Sequence, residues 1–411
     1  MKTKLYALLA LTMLVQVTFA SQNRKVLVIG IDGCRSDALQ QANTPNMDGL
    51  IANGLFTYDA WHLGITVSGP SWSTIMTGVW WNKHGVTSNS YTGSNFNDYP
   101  YFPKRAKEIK PNLNCVQVVE WPPLNQNVYN DGWDQKLQTP DHETSSTGSV
   151  ASAKIVDSDL DCMFVYFDAV DGIGHSSGFD PNNPLYIQAI EDVDSKIGQI
   201  LAALHSRPNY ANEDWLILIT TDHGGTGTGH GGNSYVERHI WWIASGPDVV
   251  HQQITAADPG TYNPYILGLF TESGVDTALL RQSPVQADIA VTALHHLIYD
   301  SGIDPETYPF WDLDGKSWLA TFSDVKDIAE NSITVYPNPT KGLVTFWMEN
   351  KSNEDISVEV YDMNGRLVNS SCTQQSTNKV NINLAGQPAG EYIAKVHIGT
   401  SQLTKKIQLT N

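Results

Sequence analysis

The chain has 411 residues, 41% of them hydrophobic and 17% charged, with a formal net charge of −18. That is too long for one ordinary domain and enough for a large α/β core plus a smaller module. So acidic a surface repels nucleic-acid backbones and anionic membranes, which argues against a nucleic acid polymer as partner.

At the start, Lys2 and Lys4 precede an apolar run from Leu8 to Phe19 that ends at Ala20. A basic start, a short apolar core and a small-residue exit describe a secretory signal peptide over residues 1–20. The run is shorter than the ~20 residues a membrane span needs. The mature protein is therefore expected to begin near Ser21, exported and without stable membrane insertion. The four cysteines, Cys34, Cys115, Cys162 and Cys372, form no CxxC pair, which excludes a zinc ribbon and leaves disulfide pairing open.

From Lys25 to about Ala329, short apolar strands alternate with amphipathic helices. Residues 26–31, 163–167 and 215–220 are near-continuous apolar runs, as expected of strands covered on both faces. Between the last two, residues 185–205 place Ile187, Ile190, Val193, Ile197, Ile200, Leu201 and Leu204 on one side of a helix. The alternation predicts an α/β layered domain over 21–331 with a central, largely parallel sheet. Functional groups of such sheets gather just past the carboxyl ends of the strands. Here Asp32 follows the first strand, Asp171 and His175 the second, and Asp222 and His223 the third. Residues 89–160 are the one stretch able to form a cap.

Beyond Ser332 the charge balance turns to +1, and the pattern becomes alternating and turn-rich, which predicts a small β-sandwich over 332–411. The stretches starting at Val335 (VYPNPTKG), Val360 (VYDMNGR) and Pro388 (PAGEY) resemble the C-terminal sorting domain of type IX secretion cargo. That resemblance implies export through the periplasm, by the type IX secretion machinery, to the cell surface or medium. A carbohydrate-binding or adhesive sandwich is the plainer alternative.

The chemistry lies in the larger domain. Its polar motifs are IDGCRSD from Ile31, SGPSWSTIMTG from Ser68, DGIGH from Asp171, TDHGG from Thr221 and GHGG from Gly229. Aspartate and neutral histidine suit zinc or a similar divalent ion, and the surrounding glycines let backbone approach closely. Any one fragment is weak, because a lone DHG is more often a turn and a lone Asp after a strand is usually a helix cap. Together, in this order, they resemble the alkaline phosphatase superfamily and within it the type I phosphodiesterase/nucleotide pyrophosphatase branch.

The resemblance implies two divalent metal ions, Zn2+ foremost, one held by Asp171, His175 and His230 and the other by Asp32, Asp222 and His223. Ser68, two residues before Pro70, takes the place of the nucleophile between them. Asn89, shortly after the KHGV turn at Lys83, fits the residue that binds a phosphoryl oxygen. His239 is the substitute for His230, and His84 is assigned to structure. The helix opening near Pro70 is expected to aim its first amides at the same anion. Trp72, beside the nucleophile, could stack on a ligand. The implied activity is hydrolysis of a small phosphate ester through a phospho-Ser68 intermediate. Alternatives are a phosphomonoesterase, a sulfatase and a non-catalytic secreted binding protein. The sulfatase is disfavoured because Trp72 stands where maturation of its nucleophile needs Arg.

Overall fold

A computed structural model describes residues 23–262, 274–319, 333–348, 356–363, 365–373, 379–398 and 401–410. The expected signal peptide and the expected boundary at 331/332 lie outside them. The first strands are β1 (Asn23–Ile31), β2 (Leu55–Trp61), β3 (Cys115–Val119), β4 (Gln135–Gln138), β5 (Cys162–Phe167), β6 (Glu213–Thr221), β7 (His239–Ser245) and β8 (Gln252–Ile254). They form one sheet in the order β4-β3-β5-β1-β6-β7-β2-β8. Strands β4 to β6 in that order are parallel, and β7 runs against both its neighbours.

Helices of eight or more residues are α1 (Ser68–Thr77), α2 (Phe102–Ile109), α3 (Thr144–Ile155), α4 (Ala169–Ser177), α5 (Pro184–His205) and α6 (Asp288–Ile298). The pleat sorts the strand side chains between them. Val26, Val28, Phe164, Leu216 and Leu218 share a core with α1, α2 and α6. Leu27, Ile29, Met163, Val165, Ile217 and Ile219 share the opposite core with α3, α4 and α5. Burial on both faces explains why these strands read as unbroken apolar runs.

Residues 89–160 do not form a cap. They supply β3, β4, α2 and α3 to the main layers, because Cys115–Val119 is a fully buried strand that extends the sheet beside β5. At the carboxyl end of the sheet, Ile31 pairs with Phe167 on one side and Thr221 on the other. The next residue on each strand is an aspartate: Asp32, Asp168 and Asp222. Register alone thus puts three carboxylates side by side.

The C-terminal strands are β9 (Ile333–Tyr336), β10 (Leu343–Met348), β11 (Ile356–Asp362), β12 (Leu367–Thr373), β13 (Lys379–Asn383), β14 (Gly390–Ile398) and β15 (Ser401–Leu409). They form antiparallel sheets β13-β10-β9 and β12-β11-β14-β15. Val344, Phe346, Val358, Val360, Val380, Ile382 and Tyr392 share one core. In β12 and β15 polar residues interrupt the apolar alternation.

Candidate metal centre

Two clusters form past the carboxyl ends of β1, β5 and β6. Asp171, His175 and His230 bring one ligand atom each within 4.8 Å of the others, and so do Asp32, Asp222 and His223. All six residues singled out as ligands therefore converge. His239 does not join them; its Nε2 lies 2.9 Å from Asp59 Oδ1 at the start of β7. Asp171 and His175 sit on α4, a helix, despite Gly172 and Gly174. One helical turn apart, they share a face, with His175 Nε2 3.2 Å from Asp171 Oδ2.

The hydrogen bonds fix the histidine tautomers. His175 Nδ1 faces Thr228 O at 2.9 Å, His223 Nδ1 faces Gly224 O at 2.9 Å, and His230 Nδ1 faces Thr66 O at 2.7 Å. A carbonyl can only accept, so each Nδ1 carries a proton and Nε2 is the nitrogen whose lone pair the neutral ring turns on the cluster. The carboxylates behave alike. Asp222 Oδ1 accepts from the amides of Gly33 and His223 at 3.0 and 2.9 Å, and Asp32 Oδ2 accepts from Trp72 and Tyr166. The remaining atoms, Asp32 Oδ1, Asp171 Oδ1 and Asp222 Oδ2, are buried without a partner. Such orphaned oxygens facing imidazole lone pairs are what a pair of divalent cations would satisfy, so the residues fit the implied ions.

Electrostatics agree. Burial, then Asp171, pushes the Asp32 carboxyl up to about 7, and burial raises Asp222 as well. Burial lowers His223, and the hydrogen bond to Asp171 leads in raising His175 to about 9. This much negative charge is stable in the ionised state only with cations between the carboxylates.

Ser68 opens α1 and is nearly buried, with Oγ 3.5 Å from His223 Nε2. Asn89 Oδ1 accepts from Gly69 N at 2.8 Å. That bond corrects the expectation of a bare helix N-terminus. Gly69 N is taken by Asn89, Pro70 has no N–H, and Ser71 N bonds Val67 O at 3.0 Å. Among the first amides of α1, Ser68 N remains for an anion. Trp72 does not reach a ligand either: it is fully buried and donates to Asp32 at 2.9 Å. His84 is structural as expected, buried against Thr74 at 3.0 Å.

Ser68, Asn89, Asp171, His175 and His230 line an open cleft, together with Trp121, Asp141, His142 and Asp168. The last three had escaped the sequence reading. Burial, then Asp32 and a hydrogen bond to Asp141, push Asp168 up to about 10. His142 Nδ1 lies 3.2 Å from Asp168 Oδ2. The one available signal was Asp168 itself, the first residue past β5.

Residues 334–410 match the secretion system C-terminal sorting domain, which implies export to the cell surface or medium. No helix among the described residues is long and apolar enough to cross a membrane. The ectonucleotide pyrophosphatase/phosphodiesterase family member 5 of Homo sapiens is 25% identical over 54% of this chain and 49% of its own length. The bis(5'-adenosyl)-triphosphatase ENPP4 of Bos taurus is 24% identical over 49% of this chain and 48% of its own. The chain thus spans about half the length of these curated relatives. A 2-O GAG sulfatase superposes with a TM-score of 0.54 at 13% identity, covering 93% of this chain and 84% of its own. The putative sulfatase yidJ of Bacteroides fragilis does so with 0.51 at 16%, over 89% and 93%. Those superpositions show an alkaline-phosphatase-like fold and nothing of substrate. Residues 26–263, more than half of the chain, match the model of type I phosphodiesterase / nucleotide pyrophosphatase, and the chain belongs to that family.

Proposed function

We propose that the chain is an exported two-metal hydrolase of phosphodiesters that works through a phospho-Ser68 ester. The observation that carries this reading is the convergence of three imidazole lone pairs and three unpartnered carboxylate oxygens beside the Ser68 hydroxyl. Asp171, His175 and His230 would hold one ion and Asp32, Asp222 and His223 the other, zinc matching the nitrogen and oxygen donors. When bound, such a pair supplies Lewis-acid polarisation of the phosphoryl group and acidifies the serine hydroxyl and a water. Ser68 Oγ attacks phosphorus in line as the alcohol departs, and water then cleaves the ester. With Asn89 Oδ1 spent on Gly69 N, its Nδ2 is the donor left for a phosphoryl oxygen.

The preference for diesters rests on charge. A terminal monoester carries a further negative charge that a diester lacks, and no Lys or Arg is among the described residues lining the cleft. Asp141 and Asp168 stand there instead. Sulfate esters are not favoured, because Trp72 occupies the place of the maturation Arg and its indole is committed to Asp32. The test is hydrolysis of aryl phosphate diester, aryl phosphate monoester and aryl sulfate by the purified zinc-loaded chain, beside Ser68→Ala. Diester turnover at least equal to monoester, negligible sulfate turnover and a nearly dead variant are expected. A fully active Ser68→Ala protein discards the mechanism; faster monoester turnover discards the diester preference alone.

A further inference from the structure

Asp32 is buried, and its two oxygens are in different situations. Oδ2 accepts from Trp72 Nε1 at 2.9 Å and from the Tyr166 hydroxyl at 2.5 Å, while Oδ1 has no partner and lies 3.6 Å from His223 Nε2. The two donors come from different elements, α1 and β5, and both are themselves buried. Their rings meet edge to face with centroids 5.2 Å apart, so each wall fixes the other. Tyr166 pairs with Gly30 across β5 and β1, two residues before Asp32. Gly30 makes room for the indole: a Cβ there would stand 2.3 Å from Trp72 Cη2. A buried strand position gives up its side chain so that an indole can cross it and reach the carboxylate.

We propose that Trp72 and Tyr166 are positioning residues that clamp Asp32 Oδ2 and thereby turn Oδ1 alone toward the cation shared with Asp222 and His223, with Gly30 as the opening the clamp requires. The inference rests on the reading of Asp32 as a metal ligand. It differs from a packing role for these rings, because packing needs the shapes and the clamp needs the N–H and the O–H. Carboxylate ligands are commonly held by such outer donors, whose loss costs about 10- to 100-fold in metal affinity.

The test is zinc binding by competition with a chromophoric chelator on the purified full chain, with a melting curve of each variant. Tyr166→Phe keeps the ring and removes only the hydroxyl donor, and so separates the clamp from packing. Trp72→Phe removes the N–H together with part of the indole, and Gly30→Ala displaces the indole without removing any polar atom. Each is expected to weaken one of the two zinc equivalents about tenfold and leave the other unchanged, with activity restored by excess zinc. Trp72→Phe that melts earlier but binds both equivalents as tightly as wild type would show packing alone and overturn the clamp. Should Trp72→Phe not fold, Tyr166→Phe and Gly30→Ala decide by the same criterion. Wild-type protein that binds no zinc would sink the metal reading and the clamp with it. Wild type with two equivalents and unaltered variants sinks only the clamp.

Discussion

His175 Nε2 stands 3.1 Å from His230 Nε2, although the other nitrogen of each ring is already a donor to a backbone carbonyl. Two lone pairs at that separation repel unless a proton or a cation lies between them. With metal absent a proton does so, which agrees with the rise of His175 to about 9 through its bond to Asp171. Zinc uptake at pH 7 must therefore expel a proton, and zinc affinity falls as pH drops below that value. Calorimetric zinc titration in two buffers of different ionisation enthalpy reads the proton directly. Identical heats in the two buffers would refute the arrangement.

Asn89 is expected to matter for turnover more than for binding. Its Oδ1 holds Gly69 N, so the side chain is oriented before substrate arrives. Removing one oriented donor to a developing oxyanion costs about 10²-fold in kcat. Asn89→Ala should lose that much with KM little altered. Gly69→Ala should do nearly as badly, since its Cβ would stand 2.9 Å from Ser88 O and 3.0 Å from Asn89 Oδ1. Full activity in both would remove Asn89 from the mechanism.

Charge in the cleft gives a test of opposite sign. Asp141 is exposed and lines the cleft, and replacing it with a cation supplies what a terminal phosphate lacks. Asp141→Lys should raise monoester kcat/KM relative to diester by roughly fivefold, the ~1 kcal/mol of an exposed charge pair in water. The gain should fade at high salt. An unchanged ratio would show that the extra charge of a monoester does not sense this residue.

The ligands were legible because their residue types are chemically selective and each group follows a continuous apolar strand. The register of β1, β5 and β6 then does the rest, since neighbouring parallel strands ending at one level must bring their next residues together. Trp72 was misread because its partner, Asp32, is 40 positions away and an indole N–H leaves no periodicity to follow. The helical state of α4 was hidden by Gly172 and Gly174, which lower helix propensity. Gly174 is there for packing, against the ring of Phe179. Asp141, His142 and Asp168 were missed because a cleft wall assembled from separate loops carries no motif.

The buried histidines outside the centre show the opposite tautomeric pattern, and it predicts an acid-sensitive fold. His62 Nδ1 accepts from Gly64 N at 3.0 Å, and His84 Nδ1 accepts from Val86 N at 3.1 Å. His296 Nε2 lies 2.9 Å from Asp214 O and its Nδ1 3.3 Å from Arg24 Nη1. Each Nδ1 therefore faces an N–H donor, and protonating it would set donor against donor. Burial, with Arg24 adding to it at His296, lowers all three from 6.5 to about 3. A lowered histidine takes up its proton in the unfolded chain first, so stability is lost as pH falls from 6.5 toward 3. At pH 5 each costs about 2 kcal/mol. Asp288, raised by burial to about 6, acts the other way between that value and its ordinary 3.8, so the slope of wild type alone is mixed. The informative comparison is His296→Gln, which can still donate to Asp214 O and accept from Arg24 but cannot take up a proton. Its melting temperature should fall less than that of wild type between pH 7 and pH 5. Parallel curves would mean that His296 is protonated in the folded protein, against the geometry of its two partners.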